Sequence, residues 1–297
     1  MVNLDDVTVG YVCADIAARI SCERSLDREE EFLQTRTQST SDPYSYTFGT
    51  IGTHDVVICD SVQPDTTDVT VSMMRSFPYL KLLLLVSSKA GAVPGDSGQV
   101  RVGDVVVPPR AVITSGMNGD YKRTDLDQST GVETGQSWEL GDDITTLIAK
   151  NDRWGPKCRR PVGDDVNELN KMFVRQHQHV SLAHHDGVVI SVGRFPECAV
   201  DRDSIAVPLN LGPIACFDQG ETMSFLRREA DIRRISVLGV SHYCDEKKEY
   251  SRRVWEKYAS MAAAACAKRI VLGQDTRREE NGNQDLAKEE GIASSAL

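Results

Sequence analysis

The chain has 297 residues, enough to bury one substantial core, and its 40% hydrophobic and 26% charged content is ordinary for a soluble globular protein. A formal net charge of −10 argues against a general nucleic-acid or anionic-membrane surface. No stretch approaches the ~20 apolar residues of a membrane-spanning helix, and the acidic start Met1-Val2-Asn3-Leu4-Asp5-Asp6 lacks a secretory leader, so a cytoplasmic protein is expected.

In chain order, Val7 to Cys13 is a β-rich run and predicts a first buried strand. Tyr44 to Cys59 reads as strand, turn, strand, with turn chemistry at Gly52 to Asp55. Thr67 to Phe77 predicts a helix with Val69, Met73 and Met74 on one face and Pro78 closing it. Leu82 to Val86 is fully apolar, as in a central strand covered on both faces. Gly103 to Val107 predicts a strand stopped by Pro108-Pro109, and Asp142 to Lys150 a helix. Asn151 to Val180 reads as a polar loop or insertion. Asp186 to Gly193 and Ile235 to Val240 predict two further strands. Ser251 to Leu272 predicts a long helix, with Val254, Tyr258, Met261, Ala265 and Ile270 near helical spacing. Residues 273–297 read as a polar tail after a single α/β domain over 1–272. Eight scattered cysteines without a C-x-x-C, several inside apolar runs, predict reduced structural thiols. His177, His179, His184 and His185 lack a cysteine or acidic partner at fixed offset, so a polar strand or loop is expected there rather than a metal site.

Several islands in this order resemble the nucleoside phosphorylase/nucleosidase superfamily, and its fungal branch in particular. Val9-Gly10-Tyr11-Val12-Cys13-Ala14 is similar to the family's V-G-W-I-C-A opening. Tyr46-Thr47-Phe48-Gly49 through Ile58 resembles its Y-T-L-G-x-I-G-x-H-N-V-V-I hairpin. Val100-Arg101-Val102-Gly103-Asp104-Val105 is similar to I-R-L-G-D-V. Cys216-Phe217-Asp218, Val237 to Asp245, Tyr258-Ala259 and Ala265 to Lys268 resemble the C-terminal cassette. The resemblance implies a three-layer α/β/α sandwich around a mixed, barrel-like sheet, with the ligand at strand ends and assembly into homo-oligomers.

The family's site residues do not follow its frame. The Gly-rich loop V-G-I-G-G-G-V-P, which holds phosphate on backbone N–H groups, corresponds to Ser87-Ser88-Lys89-Ala90-Gly91-Ala92-Val93-Pro94, with one glycine left. Ser88, Lys89 and Gly91 remain candidates for ligand binding there; Lys89 is either an anion-attracting group or an exposed loop lysine. The sugar-gripping Met-Glu pair falls on Gln219 and Gly220, leaving Glu221, one residue on, and Met223 in the same segment. The Arg before the glycine is Leu238, and the Asp that protonates the leaving base is His242. An imidazole works as acid or base near neutral pH but lacks a carboxylic acid's geometry and charge.

These departures together imply loss of phosphorolysis. The candidate catalytic residues are His242, Glu221 and Asp218, and the candidate ligand-binding residues are Ser88, Lys89, Gly91, Gln219 and Met223. No metal or cofactor is expected, and no nucleic-acid or membrane partner; the expected partner is an apolar small molecule. The leading expectation is a recruited small-molecule catalyst, of cyclase, pericyclase or isomerase type, in fungal natural-product synthesis. Such chemistry needs a shaped apolar cavity and one or two donors rather than phosphate or ribose ligands. The alternatives are a nucleoside phosphorylase or hydrolase with a rebuilt site, and a non-catalytic sensing or interaction domain.

Overall fold

A computed structural model describes residues 4–30, 42–59, 66–93, 100, 102–107, 110–115, 122–127, 184–185, 188–192, 195–196, 198–209, 214–219, 225, 232–244 and 255–273. The strands are β1 (Val7–Cys13), β2 (Arg28–Glu30), β3 (Tyr46–Ile51), β4 (His54–Cys59), β5 (Leu82–Ala92), β6 (Val105–Val106), β7 (Arg110–Ser115) and β8 (Lys122–Asp127). They continue with β9 (His184–His185), β10 (Val188–Ser191), β11 (Ile214–Asp218) and β12 (Arg233–Tyr243). Helices are α1 (Ile16–Ser25), α2 (Thr66–Ser76), α3 (Ala199–Leu209) and α4 (255–273). The expected helix at Asp142 to Lys150, the insertion up to Val180, His177, His179 and the tail after Gly273 lie outside the described residues.

The strands form one mixed sheet in the order β2-β3-β4-β1-β5-β11-β10-β7-β8, with β12 joining β5 to β6, and β6 to β9. β5 is its centre: β1 and β12 run parallel to it, and β11 pairs antiparallel at its far end. Side chains alternate across a strand, and both faces of β1 and β5 are covered. Val9, Tyr11 and Cys13 of β1 join Leu82, Leu84 and Val86 of β5 in one core cluster, with Ala18 and Cys22 of α1 and the length of α4. Val12 of β1 and Leu83 and Leu85 of β5 join Val69 and Met73 of α2 in a second. Each fully buried Leu or Val contributes about 1.5–3 kcal/mol, which is why this apolar run settles at the centre. A third cluster places Ile205 of α3 against Ile190, Val192, Phe217 and Cys244.

Local chemistry sets the connections. The two-residue turn between β3 and β4 carries Gly52 at φ 60, a conformation that hairpin turns require and glycine adopts without strain. Gly103 sits at φ 94, and a Cβ there would lie 2.8 Å from the Trp255 ring. Lys268 of α4 donates to the Ser25 carbonyl (2.8 Å) and to Asp27 Oδ1 (2.6 Å), while Asp27 Oδ2 accepts from Gly52 N (2.8 Å). One ammonium therefore ties α4 to the end of α1 and to the hairpin.

Two expectations change in detail. The apolar run predicted a strand ending at Val86, but β5 continues through Ser87 to Ala92, a stretch read from the sequence as a loop. Pairing with β12 and β11 supplies the ladder that side-chain hydrophobicity does not announce. The strand expected over Gly103 to Val107 shrinks to Val105–Val106, because Gly103 and Asp104 form the approach to β12. His184 and His185, where a polar strand or loop was expected, pair in parallel with Val105 and Val106 as a strand. Arg234, a charged side chain, is buried and donates to the Phe225 carbonyl at 2.9 Å.

Candidate functional site

In sheets of this kind ligands bind beyond the carboxyl ends of the strands, and here those ends converge on Gly91. Gly91 pairs with Phe217 of β11 on one side and His242 of β12 on the other. A Cβ on Gly91 would run into Cys244 Sγ and come within 2.9 Å of His242 Nε2. Glycine is therefore required for the imidazole and thiol to lie over the strand.

His242 is half-buried. Its Nδ1 shares a hydrogen bond of 3.2 Å with Ser241 Oγ, the donor set by the imidazole tautomer. The Phe195 ring meets it edge-on, with centroids 4.8 Å apart and an interplanar angle of 87°. Phe195 in turn packs, with Val93, against a hydrophobic cluster that includes Phe217, Cys244, Ile190 and Val192.

Strand alternation from Cys216, which faces the large core cluster, puts Asp218 on that same face, whereas Phe217 lies on the other. Asp218 is 1% exposed and accepts a short hydrogen bond from Ser191 Oγ, its neighbour on β10. Burial first, then the charge of Asp218 and Cys244, pushes the Cys216 thiol well above the ordinary cysteine range. Gln219 is exposed beyond the strand end. Glu221 and Met223 lie outside the described residues.

Ser88 is buried, and its partner is one that sequence reading passed over. The β5–β12 register shifts between Leu238↔Ser87 and Val240↔Ala90, a bulge that takes Ser88 and Lys89 out of the ladder. Their backbone N–H groups are met internally. Ser88 N donates to Asp15 Oδ2 (2.8 Å) and Ser88 Oγ to Asp15 Oδ1 (2.7 Å), while Lys89 N donates to Ser87 Oγ (3.3 Å). Asp15, 2% exposed, also caps α1 by accepting from Ala18 N at 2.8 Å. An Asp directly after a β-rich run and before Ile16-Ala17-Ala18-Arg19 is a readable helix-cap signal. Its bond to Ser88 is not readable, nor is the packing of Phe195 on His242. Lys89 is half-buried on β5. Among the described residues, no three His, Cys, Asp or Glu side chains converge as a metal site. No described helix is long and apolar enough to cross a membrane.

The mixed sheet flanked by helices is the nucleoside phosphorylase/nucleosidase fold. The chain superposes on the 5′-methylthioadenosine/S-adenosylhomocysteine nucleosidase of Helicobacter pylori with a TM-score of 0.57 at 13% identity, covering 90% of this chain and 99% of that one. It matches the corresponding nucleosidase of S. pneumoniae with a TM-score of 0.57 at 13% identity (89% and 98% covered). The futalosine hydrolase of H. pylori gives 0.55 at 12% identity (90% and 98%). In sequence it is 32% identical over 309 aligned positions to a nucleotide-binding leucine-rich repeat (NLR)-like protein of Hyaloscypha variabilis. That alignment takes in 90% of this chain and 29% of the relative, so the chain spans under a third of that protein's length. No protein-family profile matches the chain.

Proposed function

We propose that this chain is a small-molecule-binding domain that keeps the nucleosidase-type fold without phosphorolytic chemistry, as a module of the kind found within NLR-like proteins. The observation that carries the reading is the β5 bulge. The backbone donors of Ser88 and Lys89 are satisfied by Asp15 and Ser87 from within the chain, where a phosphate-holding loop would offer them to an anion. The likeness to the Hyaloscypha relative over 90% of the chain supports the receptor setting. The Phe195 ring on His242, with the hydrophobic cluster of Phe217 and Cys244 that it packs against, favours a ligand with an aromatic or apolar face. Calorimetric titration with 5′-methylthioadenosine, adenosine, inosine and their free bases tests this. Saturable binding, weakened by His242→Ala, is expected; heat of dilution alone across the panel overturns it.

A second reading, a catalyst of cyclase or isomerase type, is favoured by the imidazole itself. It is half-buried beside the Phe195 ring, and Ser241 fixes one nitrogen, which orients the ring for proton transfer. Under this reading, chemical turnover of a bound ligand stops in His242→Gln while affinity changes little. Equal turnover in that variant rejects it.

A further inference from the structure

The Asp15 carboxylate sits where two sources of backbone donors meet. One is the N-terminus of α1, a ten-residue helix whose first-turn N–H groups and dipole favour negative charge. The other is the β5 bulge, which presents Ser88 N and Oγ. Three donors from two elements close on one buried carboxylate, and all its hydrogen bonds are to neutral groups: Ala18 N, Ser88 N and Ser88 Oγ. Geometrically this is an anion site where β1 ends beside the β5 bulge, filled by the chain's own side chain.

We infer that Asp15 is a specificity-determining residue: its carboxylate occupies this cradle as a built-in anion and excludes free phosphate and other small oxyanions from the strand ends. The negative charge it fixes there also sets the neighbouring site against anionic ligands and in favour of neutral or cationic ones. The inference rests on the reading that small molecules are received at these strand ends. Its test is separate from the nucleoside titrations, so either can fail while the other stands.

Asp15→Ser is the informative variant. Serine still caps α1 but is shorter and uncharged, and leaves Ser88 N and Oγ open. Thermal unfolding is followed for the full chain in inorganic phosphate and in chloride at matched ionic strength. The wild type reports the general stabilisation that phosphate gives any protein. The expected result is a phosphate-specific rise in melting temperature of about 3–5 °C for Asp15→Ser above the wild-type rise, saturating with concentration. Asp15→Asn fills the same space without the charge, and a smaller phosphate-specific rise of about 1 °C is expected. If Asp15→Ser fails to fold, Asp15→Asn carries the test, because it keeps the cap and both Ser88 donors while removing the charge. Rises equal to the wild type's in whichever of these variants folds overturn the inference. So does displaceable, saturable phosphate binding by the wild type in calorimetry.

Discussion

Gly91 concentrates the account at the scale of one residue. It was readable in the sequence as the last glycine of a degenerate phosphate loop, but its actual constraint is different: His242 Nε2 and Cys244 Sγ occupy the space a side chain would need. Gly91→Ala is therefore expected to destabilise the protein by about 1–3 kcal/mol through overpacking, read by urea unfolding. Adding Cys244→Ala should recover part of that loss, because the thiol is the nearer obstacle. Strict additivity of the two substitutions contradicts this geometry. His242 itself was found from sequence because it interrupts a familiar pattern. Asp15 was not, because its second role depends on Ser88, 73 positions away. Asp218 was expected to line the same pocket as His242; the period-two alternation of β11 puts its side chain on the face of Cys216 and Phe217 on the other.

At the scale of elements, periodicity located what local composition dictates. The apolar run of β5, the β3–β4 hairpin with Gly52, α2 and α4 all stand where their residues predict them. What failed were the ends. β5 runs on through polar and small residues because β12 and β11 hold its backbone, and no hydrophobic signal marks that pairing. Arg234 is buried because the Phe225 carbonyl, 9 positions earlier, receives it, a contact that the charged residue alone does not announce. The joint between α4, α1 and the hairpin is equally invisible in sequence. Lys268→Met removes bonds to Ser25 O and Asp27 at a largely buried ammonium, and a loss of about 1.5–3 kcal/mol is expected in urea unfolding. Asp27→Asn should lose under about 1 kcal/mol, because the Asp27 side chain is 45% exposed. Equal losses would show that the surface ion pair, rather than the buried carbonyl bond, holds the joint.

At the scale of the whole molecule, all but one of the described cysteines behave as apolar core atoms. Cys13, Cys22, Cys59, Cys216, Cys244 and Cys266 are buried, and Cys198 is exposed. Burial pushes Cys266 up from 9.0 to about 12, and raises Cys216 as well. For Cys13 the hydrogen bond with Cys22 is the largest cause, ahead of burial. Because these folded-state values lie above the unfolded ones, the thiols' contribution is complete below pH 9. For Cys266 it is lost as pH rises from 9 towards 12, at about 1.4 kcal/mol per pH unit. Urea midpoints that fall steeply over this window, and fall less in Cys266→Ala, are expected. A flat profile contradicts it.

The fold was legible because the islands of resemblance lie in its core strands and in α4. The ligand was not, because it depends on what replaced the family's site residues. The central claim is that the frame persists without phosphorolysis, and chromatography of 5′-methylthioadenosine, inosine and uridine incubated with the full chain, with and without phosphate, tests it most directly. Intact nucleosides in every incubation are predicted, alongside binding of at least one of the calorimetric panel. Free base appearing faster in the presence of phosphate would contradict the account.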